Sequence, residues 1–122
     1  MRVFILMITL LSVSMARADD TAGINQLIAD INAAAKANKA RMLKIIVINT
    51  DVAAATLESE KSRTGFSYGD VYVAHSLAMA SRKSFDQIAA LKTGGKSWAR
   101  IAEMHQVSLQ GSTAALKEML KQ

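Results

Sequence analysis

The sequence contains no cysteine and no proline among its 122 residues. Without cysteine there is no disulfide to hold the chain together, no thiolate for metal or nucleophilic chemistry, and no anchor point for a lipid at a processing site. Without proline nothing blocks helix anywhere along the chain, and the abundant alanine favours it. Large rings are few. Beyond the first 18 residues only Phe66, Tyr68, Tyr72, Phe85 and Trp98 supply them, so core volume must come from Ile, Leu, Val and Met. Histidine is scarce as well. His75 and His105 lie far apart, and neither has a carboxylate at the spacing that builds a metal site on a helix. There is no Gly-x-Ser-x-Gly elbow, and "TGGK" at 93–96 lacks the spacing of a phosphate-binding loop. No catalytic residue, cofactor or metal is expected.

What is present begins with a three-part leader. Arg2 gives a short positive region, Val3 to Val13 are almost all apolar, and Ala16-Arg17-Ala18 fits a small-x-small cleavage site. The apolar run is short of the about 20 residues a bilayer span requires. The leader therefore predicts export to the periplasm or beyond, with cleavage after Ala18 and no lasting membrane anchor. Cleavage there removes 18 of the 122 residues and leaves 104, enough for one modest core. It also takes Arg2 and Arg17 from a chain of net charge +5, leaving +3, which is mild for a nucleic-acid module.

Periodicity beyond the leader reads as helix throughout. Ile24, Leu27, Ile28 and Ile31 share one face of a helix over about 22–38. Residues 40–50, "ARMLKIIVINT", hold a β-branched run with local strand character, but Met42, Leu43, Ile46 and Val47 keep helical spacing and no partner strand is in sight. Thr50 or Asp51 is the expected cap of a third helix reaching about Thr64. Ser67 with Asp70, and Ser84 with Gln87, have capping-box spacing, and Ser97 and Ser108 or Ser112 offer further caps. The expected fold is all-α: a small bundle of short helices over 65–122, preceded by an amphipathic helical region over 19–64 and the signal segment 1–18, with 19–122 forming one domain. Met79, Met104 and Met119, with Met42, are expected on apolar faces in the core.

Two stretches raise functional questions. "GKSWARIAEMHQVS", residues 95–108, resembles the corner of a helix-turn-helix, with Trp98 and Ile101 as core contacts, Ala102 where the helices cross and Val107 as plug. A DNA reader needs basic side chains on the following helix, and the first there is Lys117. The corner is therefore expected to serve folding, and no nucleic acid is expected as partner. The second stretch holds a Tyr-Gly-Asp turn at 68–70, an alanine-rich helix face and a Lys-Ser-Phe-Asp cap at 83–86. It resembles a group of short exported bacterial helical proteins without assigned activity. Those proteins have a Gly-x-Gly-Trp-like turn, from which Gly94-Gly95-Lys96-Ser97-Trp98 departs in spacing. The resemblance implies export and a helical domain and brings no site residues.

Tyr68, Asp70, Tyr72 and His75 gather polar and titratable groups within eight residues, and with Trp98 they are the candidate interaction or pocket residues. One reading is a small ligand or enzymatic pocket around His75, whose ordinary pKa lies near neutral. The other is structural, with Asp70 as a cap, the tyrosines packed with their polar tips outward and His75 partly buried. The expected function is a non-enzymatic protein-contact or envelope accessory module, with another protein as partner and a nucleic-acid module as the rival.

Overall fold

Side-chain caps at Asn38, Ser67, Ser84 and Ser97 start four of the described helices, and apolar spacing decides which side turns inward. A computed structural model describes residues 21–109 and 113–122. All regular structure among them is helical: α1 (21–37), α2 (Lys39–Thr50), α3 (Ala54–Thr64), α4 (Tyr68–Ser81), α5 (Phe85–Thr93), α6 (Trp98–Met104) and α7 (Ala114–Leu120). Leu109 is also helical, next to residues that lie outside the description. The expected signal segment and the Ser112 cap lie outside the described residues.

α1 buries Ile24, Leu27, Ile31 and Ala35 along one stripe. It stops at Asn38, whose extended backbone breaks the helix and whose side chain accepts from the Arg41 amide at 3.1 Å to start α2. The β-branched run is helix, as its spacing requires, with Ile45 and Ile46 buried. The α2–α3 junction departs from expectation. Asp51 ends α2 in the left-handed conformation, and Thr50 donates back to the Ile46 carbonyl at 2.7 Å. Ala53 therefore starts α3 without a side-chain cap. Thr50 is buried, so its hydroxyl takes the partner nearest to hand in the preceding turn.

Ser67 and Ser84 each form a complete capping box, with Asp70 and Gln87, and Ser97 caps α6. α4 is the axis of the molecule: it touches α2, α3, α5 and α6, and Val71 to Ala78 are buried without interruption. Leu57, Leu77, Ile88 and Ile101 are wholly removed from water. Each such side chain contributes roughly 1.5–3 kcal/mol. α7 is tied to α2 by Arg41 Nη2 donating to the Met119 carbonyl at 2.9 Å and by Asn49 Nδ2 reaching Met119 Sδ at 3.3 Å.

The methionines divide. Met42 is buried and Met119 half-buried, but Met79 and Met104 are exposed. Met79 lies near the end of α4, past the buried run that closes at Ala78, and Met104 closes α6 beyond Ile101 and Ala102. Their helices outrun the core they pack on.

Candidate functional site

Tyr68, Gly69 and Asp70, expected as a turn, are instead the first residues of α4, and they bond to α1, α3 and α6. Ser67 donates its hydroxyl to Asp70 Oδ2 at 2.9 Å and its amide to the same oxygen at 3.2 Å, while the Asp70 amide donates to Ser67 Oγ at 3.1 Å. This reciprocal cap fixes the Asp70 carboxylate in place. Its other oxygen, Oδ1, accepts the indole N–H of Trp98 at 2.8 Å. Two candidate residues from separate helices are thus brought together, and one carboxylate both starts α4 and holds α6.

Gly69 is the contact point with α1. Its amide donates to Asn32 Oδ1 at 2.9 Å. A β-carbon there would stand 2.8 Å from the Ile28 carbonyl oxygen and 2.9 Å from the Ile28 Cα, both backbone atoms. Only glycine permits so close a crossing.

The remaining candidates point to different partners. Tyr68 donates to Glu58 Oε1 on α3 at 2.5 Å, with the Lys61 ammonium 4.9 Å from its ring centre. Burial, with the bond to Glu58 adding to it, pushes the Tyr68 phenol up to about 12. The same bond holds the Glu58 carboxyl below its ordinary range, against the opposing effect of burial and with help from Lys39. Tyr72 is almost wholly buried, and burial raises its phenol although the hydroxyl bonds to Ser76. Its polar tip turns inward rather than outward.

His75 is 8% exposed, and its Nε2 lies 2.6 Å from Oε1 of Glu60, itself 7% exposed. The imidazole stacks on Phe85 at 4.6 Å between centres and 25° between planes. Phe85 meets Phe66 edge-on at 6.4 Å, and Phe66 meets Trp98 edge-on at 5.7 Å. Trp98, Phe66, Phe85 and His75 therefore form one continuous aromatic column. Such contacts add about 0.5–1.5 kcal/mol per pair beyond burial.

The partners Glu58, Glu60 and Asn32 escaped the sequence reading. Glu60 carried a usable signal: it stands three residues after Leu57 and so shares that residue's inward face. Asn32 likewise stands four after Ile28. Nothing comparable marks Glu58 as the partner of Tyr68.

At the 95–108 stretch, α6 buries Trp98, Ile101 and Ala102, and the chain turns at Gln106, which has φ of 56°. The Val107 amide donates to the Ala102 carbonyl at 2.9 Å and closes the turn. Residues 110–112, on which the expected second helix of the corner falls, lie outside the description. Among the described residues no group of three or more His, Asp or Glu is placed to hold a metal, and no helix is long and apolar enough to cross a membrane.

Set against protein-family profiles, curated proteins and solved structures, the chain matches none.

Proposed function

We propose that this is an exported helical protein that acts through contact with protein and not through chemistry at a pocket. The observation that carries the reading is how the candidate side chains are used. Asp70 holds Trp98 and Ser67, Tyr68 holds Glu58, Tyr72 holds Ser76 and His75 holds Glu60. Each polar group that suggested a reactive site has a partner within the fold. Meanwhile an apolar stretch of α2, with Ile48 59% exposed, faces solvent. Contiguous exposed apolar surface marks interaction sites more than catalytic ones.

Export is read from Arg2, the apolar run Val3 to Val13 and Ala16-Arg17-Ala18. In this reading the chain is cut after Ala18 and works in the periplasm or outside the cell. The 95–108 stretch then serves as an architectural helix corner, a role supported by the burial of Trp98, Ile101 and Ala102 against the core.

Fractionation of the native host with intact-mass measurement tests the proposal. A chain beginning at Asp19 in the periplasmic or secreted fraction is the expected result. Recovery of the full 122-residue chain bound to chromosomal DNA overturns it.

A further inference from the structure

Cysteine is absent, so methionine carries all the sulfur of the chain. The fold treats the methionines among the described residues unequally. Met42 is 1% exposed and belongs to the core cluster that holds Ile45 and Ile46. Met119 is half-buried, and its Sδ accepts from Asn49 Nδ2 at 3.3 Å, a contact that ties α7 to α2. Met79 is 50% exposed and Met104 44%. Neither of their sulfurs accepts a hydrogen bond among the described residues.

Packing accounts for methionine at position 42 and not at positions 79 and 104. Leucine has much the same helix propensity and bulk and would serve at either exposed site. What methionine adds there is chemistry, because a thioether is a reductant and a hydrocarbon is not. Other oxidisable side chains are withdrawn from solvent. Trp98 is buried with its indole N–H on Asp70, and Tyr72 is buried in α4.

We propose that Met79 and Met104 are oxidation sites, which take one oxygen atom each from hydrogen peroxide while the chain stays folded. A sulfur lone pair attacks one peroxide oxygen, and the S–O bond forms as the O–O bond breaks. The departing hydroxide takes up the proton left on the transferred oxygen and leaves as water. Sulfur is oxidised by two electrons, and the peroxide is reduced by the same two.

The fold decides what each oxidation costs. A sulfoxide is polar, so at Met79 and Met104 its oxygen stays in water and the core is untouched. At Met42 the same oxygen would be buried without a partner. The two outer sulfurs therefore form a sink for oxidant that spares the core, and reduction of the sulfoxides restores it. This inference goes beyond the protein-contact reading and does not rest on it.

The chain as isolated from its host, treated with limiting hydrogen peroxide, quenched at intervals and mapped by peptide mass spectrometry, tests this. Met79 and Met104 should gain oxygen at least about tenfold faster than Met42, whose sulfur reacts only when the core opens. Met119 should fall between them. In strong denaturant all four should react at one rate, because the fold makes the difference. The chain oxidised at Met79 and Met104 should keep its denaturation midpoint. Met79→Leu combined with Met104→Leu should abolish the fast uptake and leave the slow uptake and the midpoint as they were. Methionine sulfoxide reductases for both epimers, supplied with a thiol reductant, should return both sites to the thioether without unfolding.

Equal rates at the four methionines of the folded chain overturn the proposal. So does loss of the fold on oxidation of Met79 and Met104, fast uptake that survives the double leucine variant, or sulfoxides that the reductases reach only after unfolding. These outcomes are read from rates and midpoints. They are separable from failure of the proposed function, which is read from compartment and mass.

Discussion

Trp98 on α6 and Asp70 on α4 share a hydrogen bond of 2.8 Å, and the same carboxylate completes the cap of α4. One side chain therefore joins the start of the central helix to the start of another 28 residues on. Asp70→Ala removes the N3 half of the α4 capping box, so the Ser67 amide loses its acceptor at a cost of about 0.5–1.5 kcal/mol, and orphans the largely buried indole N–H, which costs about 1–3 more. A loss of roughly 2–4 kcal/mol in chemical denaturation is expected, with a shift in Trp98 fluorescence. Trp98→Phe keeps most of the ring and leaves Asp70 with Ser67, so it should cost less. If the two losses simply add in the double variant, the bond does not couple the helices.

Gly69 predicts the opposite of what helix propensity alone predicts. Alanine normally stabilises a helical position relative to glycine by about 1 kcal/mol. At Gly69 the added carbon meets the backbone of Ile28, which has no rotamer to change. Gly69→Ala must push α1 off α4, and a loss of about 1–3 kcal/mol is expected. Gly23→Ala is the control, because nothing lies within 4 Å of its added carbon. Thermal unfolding of both variants should move in opposite directions. Equal shifts would mean that α1 does not cross α4 so closely.

These pairings mark where sequence reasoning succeeds and where it stops. The caps at Ser67, Ser84 and Ser97 are local devices completed within three residues, so the chain displays them openly. The helical state of 45–48 was legible too, because spacing outweighed β-branching. The cap of α3 was misread because Thr50 had two possible partners, and its burial selected the Ile46 carbonyl. The links Trp98–Asp70, His75–Glu60 and Gly69–Asn32 depend on how whole helices cross, which local spacing does not encode. The candidate residues could be named from sequence, but their partners could not.

His75 and Glu60 form a buried pair backed by Phe85. Removing one member leaves the other without its hydrogen-bond partner away from water, which costs about 1–3 kcal/mol. His75→Ala should therefore destabilise by roughly that amount, and loss of the stack contributes to it. Replacing both members by apolar residues, as in Glu60→Leu with His75→Phe, should recover most of the loss, since replacing both partners of a buried hydrogen bond by apolar groups of similar shape can be nearly neutral. The pocket reading of His75 makes the contrary forecast. It requires that His75→Ala abolish an activity while the unfolding midpoint stays nearly unchanged, and that result would displace the structural role.

Tyr68 and Glu58 share one hydrogen bond, and its ends titrate in opposite directions. The phenol stands at about 12 in the fold against 10 ordinarily. As pH rises, the unfolded chain therefore loses its proton first. The contribution is whole below about pH 10 and is lost as pH climbs through about 12. Glu58 is held below its ordinary 4.5, so its contribution is whole above that value and is lost as pH falls through the lower folded one. Tyr72, raised by burial, adds to the alkaline loss independently of Glu58. Tyr68→Phe should thus flatten only part of the alkaline arm of a stability–pH curve. It should also flatten the acid arm, because the bond from Tyr68 is the main cause of the Glu58 shift. Denaturation midpoints measured across both arms decide the matter. An acid arm unchanged by Tyr68→Phe would mean that Lys39, and not the phenol, holds the Glu58 carboxylate.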